Sequence, residues 1–187
     1  PLFSIDIETV YEYLKNRKQF LNGIVISGGE PTIQQDLILL CKKIKQIGYP
    51  IKLDTNGSRP HVIKRMIKEE LIDYVAMDIK TDPFYYSPII KADQNPNQIL
   101  TSIETIMESA LSYEFRTTCV KSFVNAKTIK KIVKIIKGAM TYVLQPFNYS
   151  TVLNPRFFNT INPGYKKDEL VDFKSLADPW VQKCIIR

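Results

Sequence analysis

An α/β fold of parallel strand–helix–strand units is predicted by three observations on this chain of 187 residues. Short apolar runs alternate with stretches whose apolar residues recur at i, i+3, i+4 and i+7. Turn-forming pairs, Asn22-Gly23 and Asn56-Gly57, and a helix-stopping Gly48 separate them. Charged residues stand at the ends of three apolar runs, where a purely structural strand has no use for them. About five βα units fit either an open doubly wound sheet or part of a (β/α) barrel, and in both the chemistry lies at the carboxyl ends of the strands.

The elements follow in order. Ser4 is placed to cap a first helix carrying Ile7, Val10, Tyr11 and Leu14 on one face. Asn22-Gly23 breaks that segment, and Ile24–Ser27 reads as a buried strand. A helix from about Gln35 to Ile47 turns Leu37, Leu40, Cys41 and Ile44 inward. Tyr49–Thr55 is the second strand, and the helix after it begins near Pro60. Leu71–Ile79 contains the third, and Leu100, Ile103, Met107 and Ala110 mark one face of the next helix. Phe115–Val120 and Tyr142–Pro146 are strands four and five. Between them, Lys127, Lys130, Lys131, Lys134 and Lys137 form a basic face opposite Ile129, Ile132, Val133 and Ile136. Residues 148–165 read as an irregular loop, followed by a helix over Lys167–Leu176 and a strand candidate at Val181–Ile186.

Composition narrows the function classes. With 44% hydrophobic and 24% charged residues and no low-complexity tract, residues 1–187 read as one globular domain. No apolar run reaches membrane-spanning length, and the first residues do not look like a signal peptide. Cys41, Cys119 and Cys184 lie too far apart for a metal-ligand pair, and their odd number argues against a disulfide framework, so a cytoplasmic location is expected. The net charge of +7 reflects mainly a solvated basic face. That face lacks the interleaved aromatics of a nucleic-acid surface, and no nucleic-acid partner is expected. A single histidine, His61, leaves hydrolase triads without support.

The first charged strand end is Ser27-Gly28-Gly29-Glu30-Pro31-Thr32. Two glycines let the backbone approach a ligand, Glu30 can receive an ammonium group, and Pro31 stiffens the exit. Asp54-Thr55-Asn56-Gly57 and Asp78-Ile79-Lys80 end the next two strands, with Glu30, Asp54 and Asp78 each 24 residues apart. Equal repeats on neighbouring parallel strands gather these groups around one cleft, to which the fourth strand adds Arg116 and Thr118 on one side. Glu30 against Lys80 and Arg116 suits a zwitterionic amino acid. Asp54, Thr55 and Asp78 offer oxygens to a cation. The plainer alternative is a set of strand-end salt bridges, with an Asx-turn at Asp54–Gly57.

The ordered series GGEPT, LDTNG, MDIKT and EFRTT, with LQPF at 144–147 and the closing VQKCIIR, resembles radical S-adenosylmethionine enzymes. The similarity is greatest to activating proteins of glycyl radical enzymes, of the anaerobic ribonucleoside-triphosphate reductase activating type and similar to the pyruvate formate-lyase activating enzyme. It runs over nearly the whole chain. It implies a partial (β/α) barrel of the radical SAM type, here without its first strand. Gly28, Gly29 and Glu30, with Pro31 behind them, would then receive the methionine amino group and Lys80 the carboxylate. Arg116, Thr118 and Asn56 would be further cofactor contacts, and Asp54, Thr55 and Asp78 would line a monovalent cation site. The implied partners are a glycyl radical enzyme and an electron donor such as flavodoxin or ferredoxin. The resemblance further implies that a reduced cluster passes an electron to S-adenosylmethionine, and that the resulting 5′-deoxyadenosyl radical takes hydrogen from a glycine Cα.

The family's Cys-x3-Cys-x2-Cys loop, which holds the [4Fe–4S] cluster, is absent, and no cysteine here replaces it by spacing. Truncation or a degenerate, cluster-free homologue explains this, and the chain by itself is expected to be inactive. A barrel short of one strand exposes a sheet edge and is expected to self-associate. Two other functions remain open: a radical enzyme modifying a small molecule or RNA, such as a 7-carboxy-7-deazaguanine synthase-like protein, or a non-catalytic metabolite-binding (β/α) module.

Overall fold

The computed structural model describes residues 5–86, 95–148 and 163–187. Six parallel strands form one sheet: β1 (Ile24–Ile26), β2 (Ile51–Thr55), β3 (Tyr74–Asp78), β4 (Ser112–Cys119), β5 (Tyr142–Pro146) and β6 (Cys184–Ile186). They lie side by side in chain order, each paired with its successor, and β1 and β6 do not meet. Right-handed crossovers in an order that never reverses put every connecting helix on the same face. A doubly wound sheet needs a reversal and helices on both faces. The fold is therefore an unclosed (β/α) barrel, helices outside and a concave face within.

The helices are α1 (Ile7–Asn16), α2 (Leu37–Ile47), α3 (Pro60–Lys68), α4 (Pro96–Met107), α5 (Ala126–Ile135) and α6 (Lys167–Ala177). Strand residues on the convex side, Ile51, Leu53, Val75, Met77, Phe115, Tyr142 and Leu144, are buried under helix residues such as Cys41, Ile63, Ile103 and Ile132. Register places Asp54 beside Ala76 and Glu114 one strand further on, Asp78 beside Arg116, and Thr118 beside Gln145. The concave face is thus polar where the convex face is apolar.

Three local expectations change, and a fourth is not tested. Ser4 lies outside the described residues, and the α1 cap is Asp6, whose carboxylate accepts from the Thr9 amide at 3.3 Å. On α4 the buried residues are Ile99, Ser102, Ile103 and Ile106, whereas Ala110 lies past the helix and is exposed. A serine on the core side shifted the apparent stripe by one position. Helix α5 ends at Ile135, so Lys137 falls beyond it. The loop expected at 148–165 lies mostly outside the described residues. Elsewhere expectation and structure coincide: Gly48 ends α2 with φ of 93°, Pro60 opens α3, and β5 has the bounds read from the sequence.

Candidate functional site

The site is built from the loops after β1, β2 and β3. Gly28 has φ of +145°, a conformation open to glycine, and a Cβ at Gly28 or Gly29 would meet nothing within 4 Å. The backbone there faces open space. Glu30 caps a 3-10 turn, Pro31–Ile33, that Pro31 begins. Its Oε1 accepts from the Thr32 amide (3.1 Å), the Thr32 hydroxyl (2.5 Å) and the Thr55 hydroxyl (2.8 Å), and its Oε2 from the Asn56 amide (2.6 Å). A carboxylate has about four lone-pair sites. Oε2, holding one of these donors, is the oxygen with room for an ammonium group.

The loop after β2 is locked from below. Asn56 Oδ1 accepts from the Ser58 amide at 2.9 Å, an Asx-turn, so the Asn56 side chain serves its own loop while its amide serves Glu30. Gly57 has φ of +76°, and its carbonyl accepts from the buried Ser102 hydroxyl at 2.7 Å. A Cβ on Gly57 would lie 2.1 Å from Met77 Cε.

Past β3 the charges interlock. Asp78 Oδ1 accepts from Arg116 Nε at 2.7 Å and Oδ2 from Lys80 Nζ at 2.6 Å. Arg116 Nη1 lies 3.4 Å from Asp54 Oδ2. Burial alone would lower the Arg116 pKa, but Asp78 and Asp54 outweigh it and raise it. The Lys80 amide donates to the Tyr86 hydroxyl at 2.7 Å, and burial drives the Tyr86 phenol well above its ordinary value, keeping it protonated. Glu30 contacts the end of β2 beside Asp54, and Asp54 reaches Lys80 through Arg116 and Asp78, so the three predicted charges share one end of the sheet.

The oxygen set does not converge. Thr55 Oγ1 donates to Glu30 rather than facing Asp54 and Asp78, and Arg116 stands between those two carboxylates. Among the described residues no three His, Cys, Asp or Glu side chains gather as a metal site. Thr118 and Gln145 lie side by side on the concave face. Ser102 is not singled out by the sequence, Thr32 is read there only as part of the Ser27–Thr32 motif, and Tyr86, expected with Tyr85 in a loop bordering the cleft, sits at the site through the Lys80 amide.

The cysteines do not suit an iron–sulfur cluster. Cys41, Cys119 and Cys184 are free and buried, on α2, at the end of β4 and at the start of β6. Burial pushes their thiols up to about 11, about 12 and about 12 respectively. Iodoacetamide at pH 8 is expected to leave all three unlabelled in the native chain and to label them in denaturant. Rapid labelling of the native protein, read by mass spectrometry, contradicts this packing.

Lower on the concave face, Glu114 is 2% exposed. Arg187 grips it through two hydrogen bonds of 2.9 and 2.8 Å, Tyr74 donates at 3.2 Å, and Lys52 lies 3.7 Å away. Burial alone would raise the Glu114 pKa, yet the Arg187 hydrogen bonds, with the charges of Arg187 and Lys52, hold it below the ordinary glutamate value. Folding is therefore favoured by this group above its unfolded pKa, and the benefit is lost as pH falls through the lower folded value. Unfolding midpoints are expected to fall in acid, and Arg187→Ala is expected to flatten that dependence. Parallel pH profiles for the two proteins would refute the assignment.

A family model described as "Radical SAM superfamily" matches residues 2–139. A protein of Methanocaldococcus jannaschii, provisionally named as a glycyl-radical enzyme activating enzyme, is 34% identical over 173 residues, covering 90% of this chain and 71% of its own. A 7-carboxy-7-deazaguanine synthase of Thermococcus kodakarensis is 27% identical over 130 residues, covering 67% of this chain and 48% of its own. The chain thus spans about half the length of that second relative. Among solved structures, a domain of pyruvate-formate lyase-activating enzyme from Bacteroides vulgatus superposes with a TM-score of 0.69 at 18% identity, covering 89% of this chain and 99% of that one. That likeness concerns the fold.

Proposed function

Because the chain belongs to the radical SAM superfamily, whose cofactors are S-adenosylmethionine and a [4Fe–4S] cluster, we propose that the intact protein activates a glycyl radical enzyme. The observation that carries this reading is the Glu30 carboxylate, held by four donors beside an open Gly28-Gly29 backbone, with Lys80 and Arg116 on the neighbouring strand ends. Anionic and cationic groups on one rim match the two charges of a methionine head group. The moderate identity to a provisionally named activating enzyme adds support.

Each residue has a task in this reading. Gly28, Gly29 and Glu30 receive the amino group, and Pro31 holds their loop. Lys80 meets the carboxylate, its backbone fixed by Tyr86. Arg116, Thr118 and Asn56 flank the head group. When bound, the cluster and S-adenosylmethionine would supply the one-electron chemistry for hydrogen abstraction from the partner's glycine, while Gly28, Gly29, Glu30 and Lys80 would hold the cofactor's head group. No side chain here need act as a general base; the chain positions and shields. Ligands for the cluster come from outside these 187 residues, since the three cysteines are buried apart. The partner of choice is an anaerobic ribonucleotide reductase, with reducing equivalents from a flavodoxin or ferredoxin in the cytoplasm.

The test is anaerobic. Reconstituted intact protein, S-adenosylmethionine, reductant and the candidate glycyl radical enzyme should give a glycyl radical signal by electron paramagnetic resonance and one 5′-deoxyadenosine per radical. The 187-residue chain alone should give neither. A second reading, modification of a small molecule or RNA, is favoured by the identity to a 7-carboxy-7-deazaguanine synthase. Turnover of 5′-deoxyadenosine that never places a radical on any glycyl radical enzyme would select it.

A further inference from the structure

We propose that Arg116 is a built-in counter-ion that stands between Asp54 and Asp78 in place of a monovalent metal ion, with Lys80 on the outer oxygen of Asp78 and Lys52 beside Asp54. The two carboxylates stand on adjacent strands, and nothing on β3 itself separates them except Ala76, which is level with Asp54 and buried. Its methyl group is small enough for a side chain from β4 to cross above it. Arg116 makes that crossing: Nε bonds Asp78 Oδ1 at 2.7 Å, and Nη1 approaches Asp54 Oδ2 at 3.4 Å. The Arg116 side chain is 12% exposed, against 20% and 22% for the two acids, so water screens the trio weakly.

Geometry also separates this arrangement from a metal site. A cation held by oxygens needs several ligands turned toward one point. Thr55 is turned to Glu30, Ala76 has no side-chain oxygen, and the guanidinium lies where the two carboxylates face each other. Asp54 Oδ1 is buried without a hydrogen bond, its nearest cation being Lys52 Nζ at 3.5 Å. With no hydrogen bond of its own, that oxygen is the one best able to take a metal ion if the guanidinium were removed. An arginine cannot dissociate or be exchanged by changing the salt. The charge balance of the rim is then independent of sodium and potassium.

The inference goes beyond the proposed activity and is read without cofactor. Thermal unfolding of the chain is followed in sodium, potassium and tetramethylammonium chloride at matched ionic strength. The native chain should have the same midpoint in all three. Arg116→Gln should lower the midpoint by roughly 5–10 °C in tetramethylammonium, because the two acids lose the cation they share and keep only Lys80 on Asp78 and Lys52 beside Asp54. Sodium or potassium should restore part of that loss. Saturable, cation-specific stabilisation of the native chain would overturn the proposal, and so would a folded Arg116→Gln that gains nothing from either ion. If Arg116→Gln does not fold, the native measurement still decides, and broadening of the sodium NMR line by native protein would overturn the proposal equally.

Discussion

Gly57→Ala is expected to destabilise the chain by about 2–5 kcal/mol, a large share of the stability of an ordinary domain. A non-glycine residue at φ of +76° costs about 1–2 kcal/mol. The added methyl lies 2.1 Å from Met77 Cε and 2.9 Å from its sulfur, inside a core where Met77 is fully buried. Forcing that side chain aside adds about 1–3 kcal/mol of overpacking. The strain would reach the site directly, because the Gly57 carbonyl takes the Ser102 hydroxyl and the preceding amide holds Glu30. Urea unfolding followed by circular dichroism measures the effect. A midpoint within error of the parent would mean that the loop after β2 is not packed as described. Met77→Ala is expected to cost less in this background than in the parent chain, because the new methyl fills part of the space that the methionine vacates.

Glu30→Ala is expected to weaken S-adenosylmethionine binding to the reconstituted intact protein by about 100-fold, equivalent to roughly 2.7 kcal/mol. Two effects combine. The charge that would receive the ammonium is lost, and the Thr55 hydroxyl and Asn56 amide are left without their acceptor. Glu30→Gln retains the shape but not the charge, and its amide nitrogen cannot accept from Asn56. It should therefore fall most of the way to the alanine variant. Calorimetric titration separates this from a folding defect, since a protein that is merely less stable binds with unchanged affinity once folded. Full affinity in either variant would remove Glu30 from the binding site.

What the sequence disclosed and what it hid have one physical cause. Convex-side residues obey the rule that apolar means buried, so Ile51, Leu53, Ile132 and Val133 announce their strands and helices. Gly48 and Pro60 mark boundaries because their backbones admit few alternatives. Concave-side residues break the rule. Glu114 and Lys52 look like ordinary solvent-facing positions in an alternating strand, yet Glu114 is bonded by Arg187 and Tyr74 and lies 3.7 Å from Lys52 on the concave face. Pairings so distant in the chain leave no periodic trace. Ser102 hid for a similar reason, a polar residue on a core face justified only by the Gly57 carbonyl. At the rim, Glu30, Asp54, Asp78 and Lys80 were legible from equal spacing, but that Arg116 would span the two aspartates depended on the smallness of Ala76, a matter of shape.

Strands laid down in chain order have a consequence for assembly. Each ladder closes over a single repeat, so no step must wait for the two ends of the chain to find each other. The five-pair ladders of β3 with β4 and β4 with β5 are longer than the three-pair ladders that attach β1 and β6. Folding can nucleate in the middle and spread outward one neighbouring strand at a time, and on heating the flanks should fray before the centre melts.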